Sequence, residues 1–272
     1  MECPLSVSPV RPFTSGVTDG VTDWLGLNDR AALVAGAGGI GAAAALALAA
    51  QGARVVVTDV DQQRLDALAG QASAAGGEIT VLAADLTDAA SCRAVVEQAI
   101  AILGGLDIFV HAIGANDRRP VLGTPDEVWD RIIDINLKSA IWTAQVAGAH
   151  MVAAGYGRVV FLSSVSGLLA HQHHAPYAAT KGAVNQLCRA MAREWAPLGV
   201  TVNAIAPGYT ETGLTRQYLD KPGMREDMVS LVPAGRLGTV DDLTGPILFL
   251  CSAQSAFVTG HVMYVDGGRT LV

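Results

Sequence analysis

A phenol, an ammonium and a hydroxyl lie close together in the stretch SVSGLLAHQHHAPYAATK, residues 164–181. Tyr177 and Lys181 are four residues apart, so on a helix opened by Pro176 both side chains leave one face, a turn apart. An ammonium beside a phenol draws its pKa down from about 10, towards the range where it exchanges protons near neutrality. Ser164 directly follows the apolar, β-branched run RVVFLS, which reads as a strand carrying a hydroxyl to its C-terminal edge. Alone, a YxxxK spacing more often marks a half-exposed tyrosine over a solvated lysine. The reading depends on what must position these residues.

An apolar strand over Ala31–Ala35 runs into Gly36-Ala37-Gly38-Gly39-Ile40-Gly41 and then into an Ala/Leu-rich helix ending near Gln51. Glycines let a backbone turn sharply and approach a diphosphate at the amide end of a helix. Residues Ala31 to Ala50 carry no charge and reach the length of a membrane span, but the four glycines divide them into strand, turn and helix. The next strand, Arg54–Asp59, ends in a carboxylate. An acceptor-only Asp59 suits the two hydroxyls of an adenosine ribose and repels a 2′-phosphate. Asp61 adds negative charge, and no Lys or Arg stands in the glycine turn or directly after Asp59, so the expected cofactor is NAD rather than NADP.

Glycine turn, acid after the second strand, Asn136, Ser164, Tyr177, Lys181 and Pro207-Gly208 follow one another in that order. In this the chain resembles the short-chain dehydrogenase/reductase family from about Trp24 to its C-terminus. The resemblance implies a single Rossmann-type α/β domain: a doubly wound parallel sheet of about seven strands with helices on both faces. It implies catalysis by Asn136, Ser164, Tyr177 and Lys181. Cofactor contacts would come from Gly36, Gly39, Ile40, Gly41, Asp59, Asp85, Leu86, Gly114, Tyr177, Lys181, Pro207, Gly208, Thr210 and Thr212. Asn136 would hold a water leading to Lys181. The closing PAGRLG…VTGHVMYVDGG is similar to polyol, sugar and sugar-acid dehydrogenases such as gluconate 5-dehydrogenases, and to 3-oxoacyl reductases. Two departures stand out. The usual TGxxxGxG turn is one residue shorter here, with Ala35 in place of Thr. His111-Ala112 replaces the usual Asn-Asn before Ala-Gly, so their hydrogen bonds across the sheet must be made otherwise or lost.

Half of the residues are hydrophobic and 16% are charged, enough apolar side chains for a buried parallel sheet. A net charge of −7 leaves no basic stripe for nucleic acid. Cys3, Cys92, Cys188 and Cys251 are scattered without metal-ligand spacing and read as reduced thiols of a cytoplasmic protein. Residues 1–23 read as a loose extension and 24–272 as one catalytic domain with a substrate lid near 213–233. The segment Pro125–Ala153 reads as one long amphipathic helix containing Asn136. Arg118 and Arg119, in the loop 115–120, suit a substrate carboxylate or phosphate as well as solvated surface. His171, His173 and His174 are expected to line a pocket or loop surface rather than to hold a metal. The expected function is NAD-dependent interconversion of a secondary alcohol and a ketone, without nucleic acid or membrane partners, in a homotetramer of the kind relatives form. A 3-oxoacyl thioester reductase, or a dinucleotide-binding sensor without turnover, is the alternative.

Overall fold

In the computed structural model, residues 17, 18 and 21–272 are described. Within the expected extension, Val17–Thr18 (β1) and Val21–Thr22 (β2) pair as a small antiparallel ribbon; residues 1–16, 19 and 20 lie outside the described residues. The main sheet is built from Ala31–Ala35 (β3), Arg54–Asp59 (β4), Ile79–Ala83 (β5), Ile108–His111 (β6), Gly157–Leu162 (β7), Val200–Pro207 (β8) and Val262–Val265 (β9). Its order is β5-β4-β3-β6-β7-β8-β9, with every pairing parallel.

The helices are α1 (Gly39–Ala50), α2 (Gln62–Ala74), α3 (Ala89–Leu103), α4 (Asp126–Ile133), α5 (Ser139–Ala154), α6 (Ala175–Trp195), α7 (Gly213–Leu219), α8 (Met224–Ser230) and α9 (Asp241–Cys251). Alternation along β3 shows how the sheet is sandwiched. Ala31, Leu33 and Ala35 enter one core with Val96 of α3, Ala144 of α5 and Val184 of α6. Ala32 and Val34 enter the other with Leu48 of α1, Leu65 of α2 and Ile247 of α9. Because helices cover both faces, the central strands are apolar throughout rather than every second residue. Leu48, Leu65 and Ile247 are completely buried, each contributing about 1.5–3 kcal/mol of transfer free energy at most.

Local sequence sets the helix starts. Asp61 caps α2 by accepting from the amides of Gln63 and Arg64, and Asp88 caps α3 by accepting from that of Ser91. Pro176 sits in the first turn of α6, where its missing N–H has no helical partner to lose. The segment expected as one helix over Pro125–Ala153 is instead divided. A π turn, Asp134–Lys138, separates α4 from α5, and Asn136 lies buried within it. Single π turns are uncommon, and they concentrate where a helix must re-aim a side chain. Among the described residues, no helix is long and apolar enough to cross a membrane.

Candidate active site

A parallel sheet brings all its strand C-termini to one edge, so residues far apart in sequence meet there. The chain leaves β3 and β6 towards opposite sides of the sheet, which opens a crevice between them. The glycine turn lies at this point. Gly36 has φ +109°, and a Cβ on it would lie 3.1 Å from the backbone of Ala112. A Cβ on Gly41 would overlap the carbonyl oxygen of Gly36 and come within 3.0 Å of Ala112 Cβ. Gly39 (φ +37°) sits against Thr212, whose Cβ would be 3.3 Å from an added Cβ. No side chain caps the N-terminus of α1, and Ile40 is in its first turn, so its amide end is available to an anion. These features fit a diphosphate held by backbone alone.

The shortened turn is braced by Asp59. Its Oδ2 accepts from the Ala37 amide at 2.8 Å and its Oδ1 from that of Asp61 at 3.0 Å. Sequence spacing did not suggest the company of Arg64, which α2 folds back to 3.2 Å from Asp61 Oδ2 and 3.9 Å from Asp59 Oδ1. Beyond β5, exposed Asp85 holds the amide and hydroxyl of Thr87, and those bonds lower its pKa. Leu86 is buried and belongs to the core.

On the far side of the crevice, Pro207 ends β8 and Gly208 is pressed against Asp266, 2.8 Å from its Cα for an added Cβ. Thr210 is buried and bridges to Gly238, and Thr212 caps α7 in a reciprocal bond with Thr215. Gly114 lies where the halves meet: an added Cβ would be 3.6 Å from Lys181 Nζ and 3.7 Å from Asn136 Oδ1.

Ser164, two residues past β7, and Tyr177 and Lys181, on the first turns of α6, face this same edge. Tyr177 keeps part of its surface open, while Ser164, Lys181 and Asn136 are buried. Lys181 Nζ lies 5.6 Å from the Tyr177 ring centroid and donates to the Leu162 carbonyl at 2.6 Å. Burial pushes the Lys181 ammonium down to about 8. The electrostatics correct the sequence expectation for Tyr177. Burial raises its pKa, and the opposing pull comes from a hydrogen bond with Ser164 and from Arg118 rather than from Lys181.

The side chain of Asn136 is held at both its oxygen and its nitrogen. Its Oδ1 accepts from the Ala115 amide at 2.7 Å, and its Nδ2 donates to the Ala115 carbonyl at 2.9 Å and to Thr180 Oγ1 at 3.1 Å. Thr180 in turn donates to the Tyr177 carbonyl at 2.8 Å. The π turn therefore ties the loop after β6 to the helix that carries the phenol.

His111 replaces the missing asparagine contacts. It is buried, and its Nε2 lies 2.9 Å from Ser139 Oγ. Ser139 spends its one proton on the Ile135 carbonyl at 2.6 Å, so His111 Nε2 must be the donor. Burial first, and Lys181 second, push the imidazole down to about 3. Ala112, in the other asparagine position, gives Gly41 room to pack.

The rim is assembled from three loops. His171 Nδ1 pairs with Ser166 Oγ at 2.9 Å and its Nε2 with Tyr209 OH at 3.2 Å, so both nitrogens are engaged in bracing the wall. Buried His174 lies 5.1 Å from Tyr177, ring to ring, and bonds Asn116 through Nε2 at 2.8 Å. The two arginines divide: Arg119 pairs with Asp117, whereas Arg118 stacks 3.8 Å over the Tyr218 ring with its charge towards Tyr177 and Tyr209. Exposed His173 takes a left-handed φ of +61°.

This geometry can be compared with known proteins. A family model described as Enoyl-(Acyl carrier protein) reductase matches residues 34–270. The chain belongs to the short-chain dehydrogenase/reductase family. It is 38% identical over 248 residues to a galactitol 2-dehydrogenase (L-tagatose-forming) of Cereibacter sphaeroides, covering 90% of this chain and 96% of that one. Identity to a gluconate 5-dehydrogenase of Gluconobacter oxydans is 35% over 253 residues, covering 92% and 98%. A solved gluconate 5-dehydrogenase from Burkholderia cenocepacia, in complex with NADP and tartrate, superposes with a TM-score of 0.88 at 37% identity, covering 92% of this chain and 98% of that one.

Proposed function

We propose that this oxidoreductase interconverts a secondary alcohol and a ketone on a polyol, sugar or sugar acid, with NAD(H) as its cofactor. The observation that carries the reading is the convergence of Ser164, Tyr177 and Lys181 at the edge where the glycine turn opens. Gly36, Gly39, Ile40 and Gly41 would hold the diphosphate, Asp59 the adenosine ribose, Asp85 the adenine end, and Gly114, Pro207, Gly208, Thr210 and Thr212 the nicotinamide end. When bound there, the nicotinamide supplies the site for the hydride.

The protein's part is proton movement and charge stabilisation. Tyr177 Oη takes the alcohol proton in oxidation and returns it in reduction. Ser164 Oγ donates to the reacting oxygen, where negative charge develops. Lys181, whose Nζ is held on the Leu162 carbonyl and lies 5.6 Å from the phenol ring centroid, would bind the nicotinamide ribose, while burial raises the resting pKa of Tyr177 and Ser164 and Arg118 oppose it. Asn136 fixes Ala115, and through Thr180 the first turn of α6, so that these atoms stay in register.

NAD is favoured over NADP because Asp59 is an acceptor-only group held rigidly by two amides. The solved relative holds NADP and Arg64 stands 3.9 Å from Asp59, so the ratio of activity with the two cofactors is the first quantity to measure. The same reading has one catalytic domain over 24–272, α7 and α8 as a lid, a homotetramer, and a reducing cytoplasm that suits the free thiols of Cys92, Cys188 and Cys251.

Purified protein screened against polyols, sugar acids and 3-oxoacyl thioesters with each cofactor, followed by nicotinamide absorbance, tests the assignment. Tyr177→Phe keeps the ring and removes the proton, so turnover should fall by about 10²–10⁴-fold while the cofactor still binds. Retained turnover would refute it.

A further inference from the structure

Resting on the alcohol–ketone reading, we infer that His171 is a positioning residue that couples the turn carrying Ser164 to the loop carrying Thr210 and Thr212. It thereby sets the spacing between the substrate-facing hydroxyl and the nicotinamide end of the cofactor. The two ring nitrogens reach two different loops. Nδ1 lies 2.9 Å from Ser166 Oγ, in the turn after β7, and Nε2 lies 3.2 Å from the Tyr209 hydroxyl, 38 residues further along the chain and past β8. Among the described residues, no other side chain hydrogen-bonds to both loops.

Each end of this bridge leads to a group in the proposed chemistry. Ser166 is buried, and its amide donates to Ser164 Oγ at 3.1 Å. With one lone pair held there, the Ser164 proton is left to face the site, where its bond with Tyr177 opposes the rise of the phenol's pKa. The turn is seated on α6: a Cβ on Gly167 would come within 2.9 Å of the Lys181 carbonyl oxygen. At the other end Tyr209 is fixed by its backbone. Its carbonyl accepts from the Gly238 amide at 2.8 Å, and Thr210, the next residue, bridges to the same glycine. The imidazole therefore joins two supports that are each held on their own side.

A neutral imidazole suits this bridge because both partners are hydroxyls, which donate or accept as needed. Either tautomer keeps both bonds. Burial first, then Arg269 and Arg118, push the His171 pKa down, which holds the ring in its neutral form. The Tyr209 ring adds a face to the same contact, with centroids 5.8 Å apart and planes tilted by 41°.

Two variants cut the bridge at one point each. Tyr209→Phe keeps the ring and deletes the hydroxyl. His171→Asn sets an amide where Nδ1 stands, so Ser166 keeps a partner while the reach to Tyr209 is lost. Initial rates are measured with NAD and whichever of galactitol, gluconate and 2-butanol turns over best. Each variant should lower kcat by about five- to tenfold and leave KM and NADH affinity within about twofold. The double variant should fall no more than about twofold below the worse single one, because both changes remove the same link. Amide exchange supplies a readout without turnover. In Tyr209→Phe, whose lesion lies past β8, peptides spanning 164–168 should exchange about fivefold or more faster than in the native protein. A native kcat in His171→Asn would overturn the coupling and leave His171 as a prop for the Ser164 turn alone. Unchanged exchange over 164–168 in Tyr209→Phe, or losses that multiply in the double variant, would overturn it as well. If no alcohol turns over but exchange rises across the bridge, the coupling of the two loops stands and the alcohol-oxidation reading falls.

Discussion

Replacing His111 should flatten the acid side of the stability profile. The imidazole is 2% exposed and held neutral down to about 3, whereas in an unfolded chain it titrates near 6.5. Between those values the unfolded state binds a proton that the folded state refuses. Stability from this group is therefore fully present above about pH 6.5 and is lost as pH falls towards 3, by roughly 1.4 kcal/mol per unit. At about pH 4.5 the loss amounts to about 3 kcal/mol. His111→Gln keeps an N–H near Ser139 Oγ, so the π turn should survive, but it cannot take up the proton. Urea unfolding of both proteins at about pH 7 and about pH 4.5 isolates the effect, because the carboxylates and His174 are common to both and cancel in the difference. The native protein should lose about 2–3 kcal/mol more than the variant on acidification. Equal losses would mean that folded His111 accepts the proton and that its bond to Ser139 does not hold it neutral.

Three other substitutions probe the crevice. Asp59→Ala should weaken NAD and relax the rejection of NADP by about tenfold, read as a ratio of kcat/KM; an unchanged ratio would put discrimination elsewhere, with Arg64 the first place to look. Gly41→Ala drives a methyl into the Gly36 carbonyl oxygen and should cost about 1–3 kcal/mol in unfolding free energy, together with a large loss of cofactor affinity. Asn136→Ala leaves the amide and carbonyl of Ala115 without their partner. It should cost about 1–3 kcal/mol by urea unfolding and lower kcat more than it raises KM.

The sheet was legible because buried parallel strands are continuous apolar runs and several, such as β3, β4 and β7, end at or just before a glycine, an acid or a hydroxyl. Ala31–Ala35 and Arg54–Asp59 were read from such runs with their boundaries intact. The grouping of Ser164, Tyr177 and Lys181 was legible as well, since strand end and helix start lie close in sequence. The π turn was not. Its residues, DINLK, continue the amphipathic pattern of the flanking helices, and nothing local announces that Asn136 will bond Ala115 in a different loop. Arg64 was missed for a related reason: spacing along the strand says nothing of a side chain returning on the next helix. The electrostatics of Tyr177 were misjudged because a one-turn spacing fixes which face two residues share, not the direction of the charged atom. Lys181 reaches for the Leu162 carbonyl, and Arg118, from another loop, supplies the field.

The two departures from the family pattern then have one physical account. In place of an asparagine, His111 donates to Ser139, Ser139 to Ile135 of the helix that Asn136 continues, and Asn136 to Thr180, which donates to the Tyr177 carbonyl. The imidazole at the head of this chain is held neutral because burial disfavours its charged form and the nearby Lys181 ammonium, also buried, opposes a second cation. Acid therefore reaches the fold before the site. Between about pH 6.5 and about pH 3 the unfolded chain binds the proton that folded His111 refuses, and only near 3 would a second positive charge stand beside Lys181, so stability should fall on acidification before His111 affects activity.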